Sequence, residues 1–505
     1  MKKIIALRRA LLTALFLFLL LPFVLQGCTA LSSRRMASRL DRPPACQEFL
    51  SQIDKTVDEA GVRDASSFRV AGFPYLRASR FLAAMKHHVE TNDEKDQWLR
   101  LMRELDSRAR AKEIANLPSP AVAGVTWNQA AFKDRDELSL RTEACASTLL
   151  QHDKSRPELL GALYESVRIP EEYSIFLRTV GLYPITTIPI DLLGEKLRRQ
   201  FRKWYAADLK DLPVRGTLRS FAPPDGQDLP REAVNDLLMA SSRNPLNIPL
   251  PGETEKEMLA RSFAPVYVQD VAAPYDLPGR IVRKGDGAGV ETGRPEIYYY
   301  FSHALLQGRP ILQIVYVIWF PRRAGPAAPV LERGEFDGLT MRVSLDVNGE
   351  VFMVETMNNC GCYHLFAPRR ERVERVRPKP LALDPFVPQW LPEVPEGKRL
   401  TIRINSGWHQ VQRLYADEAP HESVRYELVP YETLEELPGS DGSSMSIFNS
   451  AGIMKGAGRI EPLILFSAGI PSVGSMRQRG HHAIEFRGHA HFDDPYLFEE
   501  SFVFK

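Results

Sequence analysis

Along the first two fifths of the chain, apolar residues recur at helical spacing. Phe49, Ile53 and Val57 fall at every fourth position, and Trp98, Leu101, Met102 and Leu105 mark a longer amphipathic segment. Tyr75, Phe81, Met85 and Val89 predict a helix between them, and Asn116, Pro118 and Pro120 stop the longer one. Further helices are expected around residues 138–151 and 157–167. Residues 181–190 carry Pro184 and Pro189, which predicts an apolar connector rather than ordinary helix. After it, Leu193, Leu197, Phe201 and Trp204 form a stripe among Lys196, Arg198, Arg199, Arg202 and Lys203. Such a helix packs on its own domain or lies on anionic lipid, and the first is the commoner fate.

Further on, the period shortens to two. Residues 296–304 and 311–320 are joined by Gln307-Gly308-Arg309-Pro310, and residues 339–345 and 351–357 flank Asp346-Val347-Asn348-Gly349-Glu350. Both patterns predict hairpins. The run 311–320 is apolar on both faces, as a buried central strand should be. More strands are expected at 400–405, 411–415, 424–428, 463–466 and 482–487. The fold class is therefore α+β. A helical N-terminal domain (45–210) is followed by a linker rich in Pro, Asp and Asn (211–255). A β-rich domain (256–505) completes the chain as an antiparallel sheet or a sandwich-like pair.

The amino-terminal residues read as an address. Lys2, Lys3, Arg8 and Arg9 precede an apolar run that ends in Leu25-Gln26-Gly27-Cys28. A basic start, a short apolar core and a small residue before the cut define a secretory signal. Leu-x-Gly-Cys resembles the lipobox of bacterial lipoproteins. That resemblance implies cleavage of residues 1–27 and lipidation of Cys28. Residues 28–44 are then a tether. Thr29, where an inner-membrane-retention Asp would stand, implies the outer membrane, with the body facing the periplasm. The chain has 65 Lys and Arg, four of them within residues 1–27, against 63 Asp and Glu. A balance this close gives no support to nucleic-acid binding.

With Cys28 lipidated, four cysteines remain. Cys46 and Cys145 are expected to form a structural disulfide, suited to an oxidising compartment. Cys360 and Cys362 sit in Asn358-Asn359-Cys360-Gly361-Cys362-Tyr363-His364. If this stretch is extended, Cys360, Cys362 and His364 share one face. Three readings stay open: a Zn or Cu site, a redox-active pair, or a structural disulfide. His409, His489, His491 and Asp493 are candidate further ligands. Nucleophile elbow, metalloprotease and phosphate-loop motifs are absent from the sequence. Two functions are therefore expected. One is a non-catalytic envelope protein, tethered by its lipid, that binds a ligand or partner through its β-rich domain. The other is a metal-site protein, a metal-dependent hydrolase if a coordination position stays open.

Overall fold

The computed structural model describes residues 42–505, except 227, 381, 396, 418–422 and 440–442 and the side chains of 157, 159 and 160. Cys28, the expected signal and all but the last three tether residues lie outside the described residues. Helices gather mainly in residues 44–262, and a β-rich region with antiparallel and mixed sheets follows. Among the described residues, no helix is long and apolar enough to cross a membrane.

The helical part is built on α1 (Pro44–Glu59), α2 (Asn92–Asn116) and α3 (Arg135–Lys154). Helix α2 starts in a capping box between Thr91 and Glu94, and Asp134 caps α3, so both satisfy backbone donors that helix starts leave free. Cys46 of α1 and Cys145 of α3 are at disulfide distance, 5.0 Å between Cα atoms. The expected helix through Tyr75 does not form as a unit. Residues 68–70 and 73–78 make a hairpin, β1 (Phe68–Val70) and β2 (Phe73–Ala78), and only a short helix at 80–85 follows. Tyr75 is buried in β2 beside Trp98 and Leu149 of the helical core. Apolar spacing alone cannot separate these two outcomes in so short a stretch.

Two more helices follow, α4 (Ile175–Val180) and α5 (Tyr183–Ala206). The expected connector at 181–190 is largely absorbed into α5. Pro184 sits in the first turn, where its missing N–H costs nothing, and only Pro189 interrupts the interior. Residues 211–255, expected as a linker, carry strand β3 (Thr217–Ala222), helix α6 (Arg231–Ser241) and the start of α7 (Glu253–Ser262). Leu246 and Ile248 from this stretch are buried in the helical core, and Gln97 accepts from the Leu246 N–H at 2.8 Å.

Beyond it lie β4 (Val266–Val271), β5 (Glu296–Leu306), β6 (Arg309–Arg323), β7 (Gly334–Leu345), β8 (Val351–Asn358) and β9 (Leu365–Pro368). Strands β10 (Arg399–Ile404), β11 (Val411–Asp417), β12 (Val424–Arg425) and β13 (Glu427–Pro430) follow. One sheet runs β9-β8-β7-β6-β5-β13 and the other β11-β10-β4-β3-β12. Pairing is antiparallel except β10 with β4, β12 with β3 and β13 with β5. Both expected hairpins are present. Gln307 and Gly308 take the positive φ values of a tight turn between β5 and β6.

Strand β6 is buried on both sides. Ile314, Tyr316, Ile318 and Phe320 join a core with Tyr267, Ile402 and Ile404 of the second sheet. Val315, Val317 and Trp319 face the other way, into a second core covered by residues 431–437 and 447–476. That cover departs from the pattern. Residues 463–466, expected as a strand, lie in helix α8 (Pro462–Leu465) and the turn after it, and 482–487 form no strand.

Candidate functional site

Strand β8 delivers the Cys-Gly-Cys stretch beneath this second cover, with Cys360 buried beside Trp319, Met357 and Met476. The stretch is a tight turn, not the expected strand. The Asn358 N–H donates to the Cys362 carbonyl at 2.9 Å, and the Gly361 N–H to the Asn358 carbonyl at 2.8 Å. Gly361 has φ +93°, and a Cβ there would stand 2.5 Å from the Ala483 carbonyl oxygen, so only glycine fits. Tyr363 also has positive φ. Alternation is therefore lost, and His364 leaves the face of the thiols.

Two buried asparagines hold the turn. Asn359 donates to the Ile318 carbonyl (3.2 Å) and accepts from the Thr340 hydroxyl (2.8 Å). Asn358 donates to the Gly338 carbonyl (3.2 Å) and accepts from Gln410 (2.8 Å). Gly338 makes room, since a Cβ there would meet the Asn359 side chain. The pair of asparagines stands beside the cysteines in sequence, and its role becomes visible only with its partners.

Cys360 and Cys362 are free thiols, the first buried and the second part-exposed. They hydrogen-bond each other. That bond, helped by the Arg323 charge and opposed by burial, pulls the Cys360 thiol down to about 7. Cys362 moves well above its ordinary value, first because it holds the shared proton and then because partial desolvation opposes its charge. The two titrate as a unit with one proton between two sulfurs.

Around the pair lies a charged network that sequence reading missed. Arg323 binds Asp337 through two nitrogens (2.9 and 2.8 Å) and Glu332 (2.6 Å). Glu332 also accepts from the Tyr363 hydroxyl and from the Trp408 indole at 2.9 Å. Glu461 sits under Gly474, with its carboxyl pushed up to about 8 by burial and then by the Cys360 charge. These residues come from β6, β7 and two loops far apart in sequence, so no local spacing signals them.

The remaining candidates go elsewhere. His364 Nε2 lies 2.9 Å from Glu355, which is paired with Arg342 (2.7 Å), and burial lowers the imidazole's pKa. His409 stacks on Phe320 and lies between Asp337 (2.7 Å) and Asp276 (3.1 Å). Burial opposes its protonation, but the two carboxylates outweigh it and raise the pKa. The Arg178 guanidinium donates to His489 at 2.6 Å, His491 lies 3.4 Å from Glu171, and Asp493 is 3.4 Å from Arg80. Cys360, Cys362, His364, His409, His489, His491 and Asp493 therefore do not converge. Among the described residues, no group of three or more His, Cys, Asp or Glu side chains could hold a metal ion.

Compared with protein-family models, curated proteins and solved structures, the chain matches none. The functional reading accordingly rests on the site's own chemistry.

Proposed function

We propose that this is a lipid-tethered envelope protein whose β-rich region carries a thiol–disulfide exchange centre at Cys360 and Cys362. The observation that carries the reading is the hydrogen-bonded pair of free thiols across Gly361, with Arg323 favouring one thiolate. The tether rests on the lipobox resemblance at Cys28, and the outer-membrane, periplasm-facing placement on Thr29. The partner that such an envelope protein binds is then one that bears a disulfide, whether a protein or a small molecule.

The exchange balances within the site. The proton on Cys362 passes to Cys360, and the part-exposed Cys362 thiolate attacks one sulfur of the partner disulfide. The partner's S–S bond breaks, and its departing thiolate is protonated from the Glu461 carboxyl. Cys360 gives its proton to Glu461 and attacks Cys362 in the mixed disulfide. The second partner thiolate leaves and takes that proton. The pair has lost two electrons, and the partner has become two thiols. A Cys-x-Cys disulfide closes a very short ring, and strained disulfides are readily reduced, so a dithiol reductant can return the pair to two thiols while itself becoming a disulfide.

The test equilibrates the full chain in glutathione buffers of graded ratio, then traps thiols by alkylation and weighs the peptide spanning residues 358–364. The expected result is full interconversion of dithiol and disulfide, with alkylation of the dithiol rising through about pH 7. A pair that stays reduced at every ratio, or alkylates only near the ordinary cysteine value of about 8.5, overturns the reading.

A further inference from the structure

Among the described residues, several large exposed apolar side chains lie on α4, α5 and α8. On α5, Ile185 and Leu192 are each 67% exposed, and Ile188 lies between them at 50%. The spacing of three and four residues puts all three on one helix face. Alongside, α4 exposes Phe176 and Val180, and α8 exposes Leu463 at 78% and Ile464. These elements are pinned together. The Ser174 N–H donates to the Gly469 carbonyl (2.7 Å), and Arg178 to the Ala468 carbonyl (2.8 Å). Arg178 itself is held between the rings of Tyr173 and Tyr183 (4.5 and 4.3 Å). The result is a fixed crest.

The same face of α5 changes character along its length. Lys196, Arg199 and Lys203 continue the Ile185–Ile188–Leu192 line at spacings of three and four. All three are exposed, and no carboxylate pairs with any of them among the described residues. The two acids of α5 are taken by other groups: Asp191 by Arg487 (2.8 Å), and Glu195 by Arg198 and Arg202 (3.7 and 3.8 Å). The opposite side of the carboxyl half, Phe201 and Tyr205, is buried in the core between the sheets. The helix is thus anchored by one face, while the other presents an apolar tip that runs into free cations.

We infer that this crest docks on an anionic phospholipid surface. The apolar tip enters the boundary of the acyl chains, and Lys196, Arg199 and Lys203 lie on the headgroups. A helix with this division binds membrane by apolar burial plus attraction to anionic lipid. The unpaired cations choose the occupant, because an apolar protein partner would leave them unanswered. The inference does not depend on the thiol chemistry.

Its test must be local, since a lipid on Cys28 would hold every variant at a membrane. A benzophenone amino acid replaces Leu192, Ile185 or Leu140 in the full chain, one at a time. Leu140 is the control, because it is 74% exposed and lies on the helical domain. Each protein is irradiated with vesicles of phosphatidylcholine, alone or mixed with phosphatidylglycerol. Lipid adducts are expected at positions 192 and 185, and not at 140, with the mixed vesicles. The triple variant K196E/R199E/K203E should lower the yield about a hundred-fold, and 1 M salt should lower it as well. Equal yield at 140, equal yield on neutral vesicles, or adducts only to another protein would overturn the inference.

Discussion

At the scale of single residues, Glu461 is the group whose titration can be read most directly. Its carboxyl is buried, close to the Cys360 charge, and stays protonated to about pH 8. A folded-state value raised above the unfolded one favours folding below the unfolded value. That advantage disappears as pH rises through the folded value. Wild type should therefore lose stability relative to Glu461→Gln between about pH 4.5 and pH 8, and no further above it. Denaturant titrations of both proteins at pH 5, 7 and 9 check this, since other titrating groups cancel in the difference. The carboxylates of Asp337 and Glu355 behave in the opposite sense. Despite burial, Arg323 holds the first and Arg342 the second below the usual range. Their contribution is present above about pH 4 and is lost as pH falls toward their folded values.

At the scale of elements, the turn 358–364 decides the chemistry. An extended stretch would have lined up two thiols and an imidazole. The turn instead faces the thiols toward each other and sends His364 to Glu355. Gly361→Ala should break the turn, because the added methyl meets the Ala483 carbonyl and φ is +93°. A loss of about 1–3 kcal/mol is expected in denaturant unfolding, and alkylation of the dithiol near pH 7 should be lost with it. Elements with a strong local rule were legible in the sequence. The hairpins at Gln307-Gly308 and Asn348-Gly349, the doubly buried β6 and the long helix ending at Asn116 all follow from spacing and turn chemistry. Those without one were not. Residues 463–466 are apolar enough for a strand, yet Pro462 at a helix start turns them into α8. Residues 211–255 have a linker's composition, but tertiary burial of a few apolar side chains makes them part of both cores.

Across the whole molecule, the helical part and the β-rich part meet through buried charge. Lys112 of α2 contacts Asp64 (2.7 Å) and Glu435 (2.6 Å). Gln478 donates to the same two carboxylates, and Arg479 pairs with Glu435 at 2.7 Å. Removing one partner strands the others in a dry setting. Lys112→Met should cost about 3 kcal/mol or more in thermal or denaturant unfolding. The thiol site was only half legible for a related reason. Cys360 and Cys362 announce themselves in the sequence, whereas Arg323, Glu332, Asp337 and Glu461 matter only because the sheets and their cover bring them together. The candidate ligand histidines meet separate partners in the fold: His409 two aspartates, His489 Arg178 and His364 Glu355.

The Cys46–Cys145 pair also fixes how the body bears a pull from its amino-terminal end. Arg42 is locked to Asp153 of α3, and four residues later the chain is bonded across to the same helix. Traction arriving at Arg42 passes into α3 through that covalent link before it can peel α1. The residues between the two cysteines, 99 apart in sequence, form a closed loop that carries none of the load. The helical part is thus held as a block, so a pull on its amino-terminal end is delivered to its stapled corner and not to the thiol turn.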